Sequence, residues 1–217
     1  MINKAAELGP QRHAWWPDWR GECCAVVGSG HSIKSVNLGL LRERIHVVAI
    51  KSTVDLTPWA EVCYGCDAAW WLSRAVAPAG IKIFHGSQAS HKFPGMRGVE
   101  IEMGSDEMLV DYPLRIGNGG NSGFQALNLC IQFGAKDIIL LGIDCHARQD
   151  LHWYGRNKWP NANNPMQSNF DRWKSGFETA KKGIARLGVD VVNCSPDSEL
   201  KSFRRAPLEQ TLEEWGL

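Results

Sequence analysis

No apolar run in the 217-residue chain approaches the roughly 20 residues that a membrane-spanning helix needs. The first residues also lack the apolar region of a signal peptide. An excess of charge of one sign is absent too, since 24 Lys and Arg residues stand against 23 Asp and Glu residues. That balance is untypical of proteins that bind nucleic acid, although it is compatible with a local basic patch on the surface. We therefore expect a cytoplasmic protein without a membrane span.

The seven cysteines provide neither a disulfide framework nor a second pair of metal ligands. Their number is odd and most of them lie in apolar runs, which is typical of buried, reduced thiols. Cys63 and Cys66 form a single C-x-x-C pattern, whereas a structural zinc site usually needs two such pairs. The cysteines therefore give no reason to assign a metal or redox cofactor.

What the sequence does contain is an alternation of apolar, strand-like runs with helix-like segments. Several runs are apolar throughout, as strands covered on both faces are. The predicted strands are 22–27, 45–50, 61–64, 81–84, 99–101, 137–142 and 189–193. Helices are predicted from Ser32, over 124–133, from Asn164 as cap with Pro165 in the first turn, and over 207–215. We predict one α/β domain over residues 1–217, with a Rossmann-like, doubly wound, mostly parallel sheet and helices on both faces.

Two segments stand apart from this alternation. Residues 1–20 are polar and rich in tryptophan, which predicts an N-terminal arm, and residues 145–164 form a polar stretch that we predict to be an active-site loop or lid. The clustered tryptophans suit core and interface packing, or stacking against a base or sugar ring. They are Trp15, Trp16, Trp19, Trp70 and Trp71.

The first candidate site is the turn after the strand that ends at Val27. Its donor-binding candidates are Gly28, Ser29, Gly30, His31 and Ser32. Glycines let a ligand approach the backbone, and a following helix would offer free N–H groups to an anion. A dinucleotide fingerprint needs glycine where Ile33 stands and an acidic residue where Lys51 stands, which disfavours NAD. Lys51 would tolerate a phosphate, so NADP and other nucleotides remain candidate ligands. In the alternative, the segment is a tight turn that binds no ligand.

A second glycine-rich turn precedes the predicted helix over 124–133. Its donor-binding candidates are Asn118, Gly120, Asn121, Ser122 and Gly123. Their side chains and backbone donors suit a phosphate or a sugar. In the alternative, Asn121 or Ser122 only caps the helix.

The third group of candidates follows the strand over 137–142. Asp144 closes this strand, where a carboxylate is placed to bind a ribose hydroxyl, an amine or a metal, or to form a cap or salt link. The loop beyond it supplies polar side chains for catalysis or phosphate binding, unless it is simply solvated. The candidates are His146 and His152 as general bases, Arg148, Tyr154 and Arg156 for a phosphate or acceptor, and, after the third strand, Asp67.

Two blocks of the chain resemble a known superfamily. Residues 26–33 resemble the G-x-G-P-S-L turn of the bacterial sialyltransferases that use CMP-sialic acid, and of a related family that includes hydroxymethyl-dihydropterin diphosphokinases. Residues 121–144 resemble the second block of that superfamily, a small-residue turn, a helix and an apolar strand that ends in Asp. His31 replaces the usual proline, Lys51 replaces a nucleotide-contacting asparagine, and Pro165 and Met166 stand where the sialyltransferases have their catalytic histidine.

The resemblance implies a nucleotide-dependent, glycosyltransferase-like enzyme that moves a group from a nucleotide-linked donor, such as a nucleotide-sugar, to a hydroxyl of a small-molecule or glycan acceptor. His152 or His146 would be the base, Arg148 or Arg156 would neutralise the leaving phosphate, and Asp144 would orient a substrate. One alternative is a diphosphokinase that acts on a small heterocyclic alcohol with Mg²⁺ on Asp144 and Asp67. Another is a non-catalytic nucleotide-binding module whose arm serves assembly, for example as a homo-oligomer.

Overall fold

The structure, a computed structural model, describes residues 13–217, so most of the predicted arm over residues 1–20 lies outside the described residues. The strands are β1 Cys23–Val27, β2 His46–Ile50, β3 Val62–Gly65, β4 Ile81–His85, β5 Arg97–Glu102, β6 Arg115–Gly117, β7 Asp137–Leu141, β8 Asp190–Asn193 and β9 Arg204–Arg205. The α-helices are α1 Ala68–Ser73, α2 Ser122–Phe133, α3 Gln167–Arg186 and α4 Leu208–Glu214.

All the strands belong to one sheet with the order β6-β5-β4-β3-β2-β1-β7-β8-β9. Every neighbouring pair is parallel. From β1 the chain builds outward through β2 to β6, and it then returns to the other side of β1 with β7. The sheet is therefore doubly wound with its switch point between β1 and β7, which confirms the predicted α/β, Rossmann-like fold.

Both faces of the central strands are covered, as their continuous apolar runs predict. In β1, Cys24 and Val26 pack into the core beneath α2 and α3. Ala25 and Val27 point to the opposite core, which α1 and α4 cover. Within residues 13–217 no helix is both long and apolar enough to cross a membrane.

The predicted helix at Ser32 is wrong in type, because the chain makes only short 3-10 turns there. These turns are His31–Ser35 and Leu38–Leu41, and a third, Lys51–Asp55, follows β2. Gly30, and not Ser32, precedes the first turn, and no side chain caps it. Ser32 is unavailable as a cap because its N–H and hydroxyl both donate to Asp144, 112 residues away.

The long helix α3 begins two residues later than predicted, at Gln167, and the residue before it is Met166 rather than Asn164. Asn164 does not cap it, because its amide is used within the preceding loop: Oδ1 accepts the N–H of Asn157 and Nδ2 donates to the carbonyl of Asn157. At the start of α3, Asn169 Oδ1 accepts the N–H of Met166 instead. The loop over 145–164 is thus organised by side-chain to backbone bonds rather than by helix or strand.

The clustered tryptophans pack into the core. Trp16 and Trp19 each lie edge-on to Phe133 of α2, with ring centroids 4.8 Å apart. Trp70 and Trp71 are buried beneath the opposite face. Packing therefore accounts for these rings, and all seven cysteines are free thiols.

Candidate functional site

A cavity of about 560 Å³ opens at the carboxyl ends of β1, β2, β3 and β7, beside the switch point. This is where open parallel sheets hold ligands, and the volume lies in the usual range for a small-molecule site. Most of the predicted site residues lie along its wall. Those that line it are Gly28, Ser29, Gly30, Lys51, Asp67, Gly120, Asn121, Ser122, Gly123, Asp144, His146 and His152.

The glycines of the first turn are required by the turn after β7. A Cβ at Gly28 would lie 2.6 Å from the carbonyl oxygen of Gly142, and one at Gly30 would lie 2.4 Å from Cγ of Asp144. The N–H of Gly30 donates to the carbonyl of Gly142 at 2.8 Å. Close packing of two turns at the switch point therefore explains both glycines without a ligand.

Asp144 ties these two turns together. Its Oδ2 accepts the N–H of Ser32 at 2.9 Å and its Oδ1 accepts the hydroxyl of Ser32 at 2.5 Å. Burial raises the pKa of the Asp144 carboxyl, and the two bonds from Ser32 oppose that rise. The carboxylate thus has a structural role at the rim of the cavity, whatever else it binds.

Lys51 and Asp67 form an ion pair on the cavity wall, with Nζ 2.6 Å from Oδ2. Burial is the largest single effect and disfavours the Lys51 ammonium, but the charge and hydrogen bond of Asp67, together with Cys66 and Tyr154, leave the pKa of Lys51 raised. The backbone of Lys51 has φ +49°, a left-handed conformation that costs a non-glycine residue about 1–2 kcal/mol. The fold therefore holds this cation in place at the end of β2 against local strain.

The second turn presents the start of α2 to the cavity. Asn121 caps this helix, since its Oδ1 accepts the N–H of Phe124 at 2.9 Å. The first-turn N–H groups of Ser122 and Gly123 have no acceptor within the helix and remain available to an anion. Asn118 lies outside the cavity lining, with its amide bonded to the carbonyl of Met103.

His152 has the most distinctive environment in the cavity. The residue is 9% exposed, and its Nδ1 lies 3.2 Å from the hydroxyl oxygen of Ser29. Within residues 13–217 its buried Nε2 has no hydrogen-bond partner. Burial lowers the pKa of His152 to about 4, and the charge of Lys51 acts in the same direction. The imidazole is therefore neutral at physiological pH, and one of its nitrogens is uncommitted.

His146 also lines the cavity, but both of its ring nitrogens have neighbours. Nδ1 accepts the N–H of Arg148 at 3.2 Å, so the proton of the neutral ring is on Nε2. Nε2 lies 3.3 Å from Oδ1 of Asp197. His146 thus has no free lone pair to offer a substrate.

The remaining candidates lie outside the cavity lining. Arg148 forms ion pairs with Asp197 at 2.7 Å and Glu199 at 2.9 Å. Tyr154 stacks on the ring of His152, with centroids 5.1 Å apart. Arg156 is exposed on the loop surface. His31, in the first 3-10 turn, has its Nδ1 3.6 Å from Oδ2 of Asp150.

Several lining residues were not predicted. Phe170 and Trp173 are the first members of the apolar stripe of α3, and together they form an aromatic wall of the cavity. Trp173 lies against Gly120. The other unpredicted residues with polar side chains are Cys66, Cys145, Asn157, Asn163, Asn164 and Asn169. The concentration of asparagine between residues 157 and 169 is a signal that could have indicated the four asparagines.

Among the described residues, no group of three or more His, Cys, Asp or Glu side chains is arranged to hold a metal ion. No protein-family model, curated protein or solved structure matches the chain. The resemblance of the two sequence blocks to sialyltransferases and diphosphokinases therefore stays a prediction. The geometry and side chains of the cavity are the observations from which a function can be inferred.

Proposed function

We propose that the cavity binds a nucleotide-linked donor and transfers the linked group to an acceptor hydroxyl, as a glycosyltransferase does, with His152 as general base. The observation that carries this proposal is the buried Nε2 of His152, which has no hydrogen-bond partner among residues 13–217. Nε2 of His146 also lacks a hydrogen bond, but it lies 3.3 Å from Oδ1 of Asp197, whereas Nε2 of His152 has no such neighbour. Buried polar atoms without a partner are uncommon, and a catalytic role or a bound ligand, ion or water is what usually accounts for one beside a cavity.

The proposed step needs a neutral imidazole beside the acceptor. The acceptor hydroxyl gives its proton to Nε2 of His152, and its oxygen forms a bond to the transferred carbon. The bond between that carbon and the phosphate oxygen of the donor breaks, and the nucleotide leaves with the electron pair. His152 suits this role because it stays neutral at physiological pH, whereas both nitrogens of His146 have neighbours.

The phosphate of the donor is best placed between Lys51 and the start of α2. The N–H groups of Ser122 and Gly123 suit an anion at a helix N-terminus. Lys51 has three N–H donors, and Asp67 takes one of them at 2.6 Å. These groups can bind phosphate oxygens without Arg148, which is paired with Asp197 and Glu199.

The aromatic wall favours a ligand with a flat ring or a sugar. Phe170 is almost fully buried and lies edge-on to Trp173, with centroids 5.2 Å apart. Trp173 is only partly buried, so its indole presents surface to the cavity. Aromatic faces of this kind stack on bases and on sugar rings.

The diphosphokinase alternative has less support from the side-chain contacts. The two carboxylates that would bind Mg²⁺ are already engaged, Asp144 by Ser32 and Asp67 by Lys51. The non-catalytic alternative gives no reason for the uncommitted nitrogen of His152.

The proposal is tested by screening the protein against CMP, UDP, ATP and their sugar conjugates by thermal shift, followed by transfer assays with the ligands that stabilise it. A nucleotide that binds the cavity raises the melting temperature by mass action. His152→Gln should retain nucleotide binding and lose roughly 10²- to 10⁴-fold in turnover. His91→Gln, at an exposed site, is the matched control and should keep both.

Two results would overturn the proposal. If no nucleotide stabilises the protein even at millimolar concentration, the cavity is not a nucleotide site. If nucleotides bind and His152→Gln turns over as fast as the wild type, His152 is not the base. Far-UV circular dichroism of the variant checks that it is folded.

A further inference from the structure

His146 is the second buried histidine of the cavity, and a backbone hydrogen bond shows where its proton lies. The residue is 6% exposed and lines the cavity shortly after Asp144. Its Nδ1 lies 3.2 Å from the backbone nitrogen of Arg148. A backbone N–H can only donate, so Nδ1 must accept, and the neutral ring carries its proton on Nε2.

The N–H at Nε2 is a buried donor without an acceptor. Oδ1 of Asp197 lies 3.3 Å away, yet Nε2 of His146 makes no hydrogen bond within residues 13–217. The distance would allow a hydrogen bond, so it is the direction that fails, because the N–H does not point at the carboxylate oxygen. Such a donor has lost its hydration without replacement unless something in the cavity accepts the bond.

Asp197 is engaged by a network of ion pairs rather than by His146. Its Oδ1 lies 2.7 Å from the guanidinium of Arg148, which also pairs with Glu199 at 2.9 Å. Lys174 of α3 in turn pairs with Glu199 at 3.0 Å. This network joins the loop that contains His146 to α3 and leaves the Nε2 donor uncommitted.

His146 and Lys51 lie on opposite sides of the switch point. Lys51 follows β2 and His146 follows β7, and β1 lies between those two strands. Neighbouring strands are about 4.8 Å apart, so these two strand ends are separated by roughly 10 Å. The ion pairs place His146 on the side of α3, whose Trp173 lines the same cavity. A ligand with its phosphate at Lys51 therefore presents a different part of itself to His146.

The charges on the two sides of the cavity differ as well. Lys51 provides a cation, whereas the neutral ring of His146 provides an N–H dipole with the carboxylate of Asp197 beside it. An anion gains less from a dipole than from a cation, and the carboxylate repels it. The His146 side therefore suits a neutral acceptor atom, such as a hydroxyl oxygen, a carbonyl oxygen or a ring nitrogen.

We propose that the Nε2–H of His146 donates a hydrogen bond to a neutral acceptor atom on the base or sugar ring of the nucleotide-linked donor, on the side of the cavity lined by Trp173. His146 is then a binding residue that selects the ligand, and it takes no proton during the transfer. That the ligand is a nucleotide rests on the function proposed above, whereas the free donor at Nε2 does not.

The donor is tested by ¹⁵N NMR of protein labelled at histidine, without any ligand. In a neutral imidazole the nitrogen without a proton resonates far downfield of the protonated one, and couplings to the carbon-bound ring protons distinguish Nδ1 from Nε2. His146→Gln assigns the signals of His146 among those of the seven histidines. We expect Nδ1 to be the bare nitrogen at neutral pH. A ring with its proton on Nδ1, or with protons on both nitrogens, overturns the inference.

The contact with the ligand is tested by calorimetry with CMP, UDP, ATP and their sugar conjugates. His146→Leu removes the donor and should weaken binding roughly 2- to 12-fold, the effect of one hydrogen bond between neutral groups. His146→Gln keeps an NH₂ group near the position of Nε2 and should restore most of that affinity. His91→Leu, at an exposed site, is the matched control and should bind as the wild type does.

The choice of probe shows which part of the ligand carries the acceptor atom. A loss of affinity in His146→Leu for the free nucleotides assigns the acceptor to the base or the ribose. A loss confined to the sugar conjugates assigns it to the transferred sugar. Either result supports the inference.

The outcomes separate this inference from the proposed function. Wild-type affinity in His146→Leu for every nucleotide that binds, or equal losses in the Leu and Gln variants, overturns the inference while the nucleotide site stands. If no nucleotide binds the wild type, the ligand assigned to this donor falls with the proposed function, and the NMR spectrum alone decides whether Nε2 is the donor. Far-UV circular dichroism checks that both variants are folded.

Discussion

The carboxyl group of Asp144 fills the space in which a side chain at Gly30 would lie. A Cβ on Gly30 would be 2.4 Å from Cγ of Asp144 and 2.5 Å from its Oδ1. Because Asp144 is held by two bonds from Ser32, it cannot move aside without losing them. The two turns at the switch point are thus fitted to one another, and the cavity wall depends on that fit.

Gly30→Ala should therefore destabilise the fold. We expect a loss of about 1–3 kcal/mol in the free energy of unfolding, because the methyl group overpacks a buried carboxylate. Urea denaturation measures this loss. Gly104→Ala is the matched control, since the nearest atom to its added Cβ is 3.9 Å away.

The pairing of Gly30 with Asp144 can be tested directly by a double-mutant cycle. Asp144→Ala removes the group that the new methyl would meet, so the double variant should lose less stability than the sum of the two single variants. Additive losses would show that the conflict at residue 30 lies elsewhere.

The sheet could be predicted from the sequence because its strands are encoded locally. The run Cys23–Val27 and the run over 138–141 are apolar throughout, a pattern that is typical of strands covered on both faces. The short edge strands β6 and β9 have no such run and could not be predicted. Helix α1 was also missed, because six residues are too few to show the helical period.

The site could be predicted only in part, because its details depend on contacts between distant residues. The sequence indicates a glycine-rich turn at Gly28–Ser32, but the bonds from Ser32 to Asp144 and the clash at Gly30 appear only when β1 and β7 lie side by side. The choice between His146 and His152 likewise depends on which neighbours each ring nitrogen meets in the folded chain. Trp173 belongs to the helical stripe that predicts core, and nothing in the sequence shows that this residue also lines the cavity.

The neutral state of His152 should make the protein less stable in acid. Its pKa is about 4 in the folded state because of burial and the charge of Lys51. In the unfolded chain a histidine has a pKa of about 6.5. The unfolded state thus binds the proton more tightly, and stability is lost as the pH falls from about 6.5 toward 4. The loss should reach about 3 kcal/mol below that window.

Urea denaturation across this pH range measures the effect. His152→Gln removes the titrating group and should flatten that part of the profile, whereas His91→Gln, at an exposed site, should keep it. Identical profiles for His152→Gln and the wild type would mean that His152 is not held neutral by the fold.

The ion pair of Lys51 with Asp67 yields a prediction that separates the two enzyme hypotheses. Asp67 neutralises the ammonium that would meet the phosphate of a nucleotide donor. Asp67→Asn leaves that cation unneutralised, so nucleotide binding without Mg²⁺ should become tighter, by roughly 3- to 10-fold at low salt, and more sensitive to salt. If Asp67 instead binds Mg²⁺ for a diphosphokinase, the same variant should weaken Mg²⁺-dependent ATP binding.

Isothermal titration calorimetry at two salt concentrations, with and without Mg²⁺, decides between these outcomes. Asp55→Asn is the matched control, since Asp55 pairs with Arg74 at 2.8 Å outside the cavity lining and its loss should not change nucleotide affinity. Unchanged affinity in Asp67→Asn would show that the phosphate does not approach Lys51. In that case the start of α2, with the N–H groups of Ser122 and Gly123, would have to bind the phosphate without help from this cation.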